Sequence, residues 1–174
     1  MRIVLFLSLL LAGCSVGEVG GSSGDAGATN DCVARLAPPG AKHLHTAGGT
    51  SNQGLNCIVA GCHLNNQLGT GAPGYQFAGT LWAAGGTTPS AGALIRIKAN
   101  GMTLMAYSDE DGNFSFPAGS LAGQFTATTD VTACPTVTKM VTQMVGGNGG
   151  GAGANSCNLC HTTAAGAQAP PISL

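Results

Sequence analysis

Near the end of the chain, Cys157-Asn158-Leu159-Cys160-His161 places two thiols two residues apart, with an imidazole directly after the second. An earlier stretch, Cys57-Ile58-Val59-Ala60-Gly61-Cys62-His63, has the same Cys-His ending after a longer gap. The first spacing is the attachment signal for c-type haem. Two thiols add across the two vinyl groups of the porphyrin edge, and the adjacent imidazole then reaches the iron on one face. Short spacing lets a single backbone turn do all three jobs, and covalent attachment holds haem in a domain too small to enclose it. His161 is the expected proximal ligand at the second motif and His63 at the first, where the extra residues must bulge between the two anchors.

The same residues allow other chemistry. Each cysteine pair could close a local disulfide. Two pairs with their histidines could hold zinc, which favours thiolate and imidazole, although an exported location oxidises thiols that are not captured. A redox-active Cys-x-x-Cys calls for a βαβ context, which the sequence lacks. The remaining histidines, His43 and His45, match the count of distal ligands that two six-coordinate irons would need. Met140 and Met144 are rival ligands that would raise the reduction potential. Met102 and Met105 are expected in the core instead.

The longer motif resembles that of some multihaem cytochromes, including the tetrahaem cytochromes of sulfate reducers. Such chains commonly mix the two spacings, so the resemblance implies two covalent haems c in one chain, held by Cys57, Cys62, Cys157 and Cys160.

The N-terminus, "MRIVLFLSLLLAGCS", carries one charge and an apolar run that ends at small residues and Cys14. The run is too short for a stable span and reads as a secretory signal. "LAGC" resembles the lipobox of bacterial lipoproteins, which implies lipidation of Cys14 and removal of residues 1–13. Ser15 then leans towards the outer membrane or cell surface, facing the periplasm or the exterior. Residues 14–31 are rich in Gly and Ser, with too little apolar surface to order themselves, and read as a flexible tether.

Charged residues make up 7% of the chain and the net charge is −1, which excludes the basic face that nucleic acid demands. Glycine is abundant, at 29 residues, and aromatic residues are few, so material for a large core is poor. With Cys14 assigned to lipid and four cysteines to the two motifs, Cys32 and Cys134 remain. In an oxidising compartment they most simply form a disulfide, closing a loop of about 100 residues.

These sites need a scaffold. From Tyr75 to about Val145, short runs of β-branched and aromatic residues alternate with turns such as "NG" and "DEDGN". Ile95, Ile97 and Ala99 alternate with Leu94, Arg96 and Lys98 as in a strand. The series predicts a mainly β fold, a small antiparallel sandwich flanked by loop-rich haem-binding segments. "DEDGN" has Gly112 at the wrong loop position for an EF-hand and lacks the closing Glu, so it reads as a turn. "PTVTKMVTQM" reads as a final strand or a short helix. The stretch "FAGTLW…PSAGALIRIKANGMTLMAYSDEDGNFSF" resembles a carboxypeptidase regulatory-like, or transthyretin-like, domain, a family of noncatalytic spacers and binding modules. The expected organisation is a signal over 1–13, a tether over 14–31, a haem-binding segment over 32–73, a Greek-key sandwich over 74–145, and a Gly-rich linker with the second haem segment over 146–174.

The expected function is extracytoplasmic one-electron transfer by a lipid-anchored dihaem protein, with no substrate of its own. Expected partners are other redox proteins or multihaem cytochromes, and the membrane through the lipid. Two alternatives stand beside it. One is a subunit of an extracellular cytochrome filament that self-assembles. The other is a noncatalytic surface lipoprotein with disulfides in place of haem. A Cys14→Ser variant should move from the membrane fraction to the soluble fraction; retention with the membrane would contradict lipidation at that residue.

Overall fold

A computed structural model describes residues 31–37, 52–140, 143–146, 155–161 and 171–174. The signal segment, Cys14, nearly all of the tether, His43 and His45 lie outside the described residues. The fold is mainly β, with antiparallel sheets packed as a small sandwich. One sheet pairs β1 (Tyr75–Thr80) with β4 (Asn113–Pro117). The other sheet runs β3 (Met102–Tyr107), β2 (Leu94–Ala99), β5 (Phe125–Ala133). Along the far edge of β5 lie β6 (Thr136–Lys139) and β7 (Met144–Gly146). The stretch after Cys134 therefore forms strands, not a helix.

Alternation decides what each strand buries. Ile95 and Ile97 are fully buried and Ala99 nearly so, while Lys98 is exposed. The outward Arg96 and Lys98 both reach Asp130, which sits opposite Arg96 on β5. The core is aromatic despite the low aromatic content. Phe77, Phe114 and Phe116 from one sheet meet Ile95, Ile97 and Phe125 from the other. Phe77 holds its centroid 5.4 Å from Phe125 and 6.1 Å from Phe116, and the Phe116 ring is edge-on to it. Such pairs add roughly 0.5–1.5 kcal/mol beyond the area they bury.

Met102 and Met105 depart from expectation. They are 46% and 66% exposed, not core residues. For Met105 the cause is the parity of β3: Leu104 and Ala106 pack against the core, which turns Met105 outward, whereas Met102 shares their parity and lies beside the hairpin turn.

The turns follow their chemistry. Asn100 and Gly101 have φ of 51° and 74°, which closes β2 onto β3 through a two-residue loop of the type that suits strand twist. In "DEDGN", Asp109 is buried and accepts from the amides of Asp111 at 3.0 Å and Asn113 at 2.7 Å. The aspartate thus serves the turn.

Cys32 and Cys134 are joined by a disulfide, as expected. The segment it anchors runs beside the end of β5 and the approach to β2. Val33 donates to Thr132 Oγ1 at 2.9 Å and accepts from the Cys134 amide at 3.0 Å. Arg35 donates to the Ala91 carbonyl at 2.7 Å, and the Leu36 amide donates to Gly92 at 2.7 Å. Among the described residues no helix is long and apolar enough to cross a membrane. A Cys32→Ala/Cys134→Ala double variant should lose about 4 kcal/mol in urea unfolding, from the length of the loop released. An unchanged midpoint would show that the hydrogen bonds of residues 33–36 hold the strap unaided.

Candidate functional site

Strand β1 has two edges, and only one belongs to β4. Along the other edge lie isolated parallel bridges: Leu64 to Tyr75 and Ser156 to Ala78. Just past the strand end, Ser173 bridges Trp82 in the same sense. Leu64 directly follows the first Cys-His motif and Ser156 directly precedes the second. Both motifs are therefore delivered to the same strand edge. Tyr75 and Ala78 are three residues apart, so the anchors lie about 10 Å apart along β1.

The first motif is built on a looped bulge. Ile58, within the gap between the cysteines, is buried and ties the bulge to the body of the protein. Val59 accepts from the amides of Cys62 at 3.1 Å and Leu64 at 3.3 Å. Gly61 adopts φ +77°, and a Cβ on Gly69 would come within 2.3 Å of the Gly61 carbonyl, so both positions favour glycine. This folding brings the His63 amide to the Cys57 carbonyl at 3.2 Å. The His63 ring stacks on Tyr75 with centroids 4.2 Å apart, and its Nδ1 lies 2.8 Å from the Pro73 carbonyl. A carbonyl only accepts, so Nδ1 carries a proton. That backbone bond fixes ring orientation and tautomer in the manner of metal-ligating histidines.

The second motif is one helical turn, α1 (Cys157–Cys160), capped by His161. The His161 amide donates to the Cys157 carbonyl at 2.9 Å. The closure from histidine N–H to first-cysteine carbonyl is thus common to both motifs, and the extra residues of the first are looped out to reach it. The turn docks on β1 at Gly79, where a Cβ would stand 2.8 Å from Cys157 Cβ. Asn158, buried between the two cysteines, accepts from the Thr80 amide at 2.9 Å. It also donates to Thr80 Oγ1 at 3.0 Å and to the Leu55 carbonyl at 2.8 Å. The second motif thereby reaches the first segment directly.

Burial pushes the Cys57 thiol up to about 11, with the neighbouring Cys62 adding to the shift. Burial pushes Cys157 up to about 12, with Cys57 adding to it. Cys57, Cys62 and Cys157 are free thiols, and Cys62 is exposed. Cys160 is disulfide-bonded. Thiols held protonated are poor thiolate nucleophiles and poor zinc ligands. Among the described residues no three of His, Cys, Asp and Glu converge to hold a metal ion, so the zinc alternative finds no donor set there. Of the rival methionines, Met144 packs against the core, and the Met140 amide bonds Thr129 at 2.8 Å on the opposite sheet.

Asn158, Thr80 and the β1 edge carry no chemistry-bearing signature and were not legible as site residues. The chain end was not legible either. There Trp82 donates to Ile172 at 2.8 Å and accepts from Leu174 at 3.2 Å, while both apolar side chains join the core. The alternation in "ISL" was the available signal. No protein-family model, no curated protein and no solved structure matches this chain.

In the haem-free protein at pH 8, iodoacetamide should label Cys62 first. Cys57 and Cys157 should lag, since Cys57, raised to about 11, holds about 100-fold less thiolate and Cys157, raised to about 12, about 1,000-fold less. Equal labelling of all three would contradict the shielding of Cys57 and Cys157.

Proposed function

We propose that this chain is a lipid-anchored dihaem c-type cytochrome that performs one-electron transfer outside the cytoplasm. The observation that supports this best is the shared backbone closure. In two segments of different length, the histidine amide returns to the first cysteine carbonyl. A turn that sets thiol, thiol and imidazole in fixed relation is what covalent haem attachment needs. The donor set also fits. His63 already has its Nδ1 tied to the backbone. Exposed Leu55 and Leu68 beside the first motif and Leu159 within the second offer apolar surface for a porphyrin to cover.

In this reading Cys57 and Cys62 hold one haem and Cys157 and Cys160 the other, with His63 and His161 as proximal ligands. His43 and His45 are the proposed distal ligands. When bound, haem supplies an iron that alternates between two oxidation states. The protein positions the two groups on β1 and tunes them through ligand identity and burial. Lipid on Cys14 tethers the domain, and its partners are other redox proteins met through small, transient contacts.

A second reading is favoured by one observation, the disulfide at Cys160. A thiol spent in a disulfide cannot add to haem, so a noncatalytic surface lipoprotein is the rival, although Cys57, Cys62 and Cys157 are free thiols and neither motif closes a local disulfide. The two differ in colour. Protein made in a host with working haem attachment should show the sharp reduced bands of c-type haem. Cys57→Ala/Cys62→Ala and Cys157→Ala/Cys160→Ala variants should each lose about half the absorbance per chain. A colourless wild type from that host would sink the cytochrome reading.

A further inference from the structure

We infer that Asn158 is a latch that holds the second Cys-His motif against the first, so that the two haems form one electronically coupled pair at the β1 edge. The inference rests on the dihaem reading. Haem attachment places no demand on the residues between the two thiols. Yet Asn158, one of those two residues, is 3% exposed and fully inside the protein's hydrogen-bonding. Its Oδ1 accepts from the Thr80 amide at 2.9 Å, and its Nδ2 donates to Leu55 at 2.8 Å and to Thr80 Oγ1 at 3.0 Å. Leu55 lies two residues before Cys57, and its carbonyl also receives the Cys57 thiol at 3.5 Å. One carbonyl therefore joins the two motifs, through the amide of the second and the thiol of the first.

Two further features serve the same closure. Gly79 lets Cys157 approach β1, since a Cβ there would stand 2.8 Å from Cys157 Cβ and 2.9 Å from Phe114. Ser156 then pairs Ala78 while Leu64 pairs Tyr75, which leaves the motifs about 10 Å apart on one strand. The sequence alone allows an arm that serves a separate partner. A buried amide with three satisfied hydrogen bonds holds the arm closed instead, because opening it would expose or strand each of those groups. Asn158 is a positioning residue in this account and touches no reacting atom.

The test uses the full-length, lipidated protein in detergent. Two haems in fixed proximity should give a bisignate Soret circular-dichroism couplet. That couplet should be absent from the summed spectra of the two single-motif variants, Cys57→Ala/Cys62→Ala and Cys157→Ala/Cys160→Ala. Asn158→Ala should keep both haems and lose at least about half the couplet, because the latch no longer fixes the arm. In the same variant, hydrogen exchange at the Thr80 amide should quicken by about tenfold or more. A wild-type spectrum equal to the sum of the single-motif spectra would overturn the coupled pair. An Asn158→Ala protein with an intact couplet would overturn the latch. If Asn158→Ala fails to accumulate, the wild-type comparison with the single-motif sum still decides the coupling. If wild-type protein is colourless, the dihaem reading fails, and exchange at Thr80 in that protein still reports whether the latch is closed.

Discussion

The hydroxyl of Thr80 is where the separate parts of this chain are joined. It is 1% exposed and has a capacity of one donated and two accepted hydrogen bonds. All three are used. It accepts from the Gly54 amide at 2.9 Å and from Asn158 Nδ2 at 3.0 Å, and it donates to Asn113 Oδ1 at 2.9 Å. One partner comes from the first motif segment, one from the second, and one from the start of β4. Replacing the hydroxyl by a methyl would strand two donors and an acceptor in a buried place, at about 1–3 kcal/mol each. A saturated hub of this kind gives definite positions to segments that are short of apolar residues of their own.

The same economy appears along β1. An uncovered strand edge invites pairing with other chains. Here the edge is occupied by pieces of the two Cys-His segments, with the chain end beside it at Trp82. Covering the edge and positioning the motifs are one structural act. On the other sheet, the Cys32–Cys134 disulfide and residues 33–36 do comparable work. The sandwich itself rests on a small aromatic cluster, in which Phe77 touches rings from both layers. A chain with so much glycine thus gains order from three sources: a compact core, one long covalent closure, and buried polar contacts with few unmatched groups.

Much of this was legible from residue pattern. Alternation around Ile95 and Ile97, the Asn100-Gly101 hairpin and the Asp109 turn are local signals, and local signals survive folding. The pairing of Cys32 with Cys134 followed from counting. What pattern did not supply is non-local. Met102 and Met105 look apolar enough for a core, but strand parity turned Met105 out in favour of Leu104 and Ala106, and Met102 sits beside the hairpin turn at the strand's open end. Asn158 reads as filler between two cysteines until β1 is set beside it. Thr80 reads as the polar end of a strand. Their roles depend on contacts across 78 residues of chain, and a side-chain amide carries no periodicity that would announce them.

The chemical account rests on covalent haem at two thiol pairs whose backbone turns close alike. Disulfide formation and haem attachment compete for the same sulfur atoms, so the two outcomes exclude each other at each motif. Intact mass of the protein purified from a haem-attaching host separates them most directly. The account predicts a mass increased by two haem groups that survive denaturation. A chain of plain polypeptide mass after allowance for lipid, with its motif cysteines oxidised to disulfides, would contradict it.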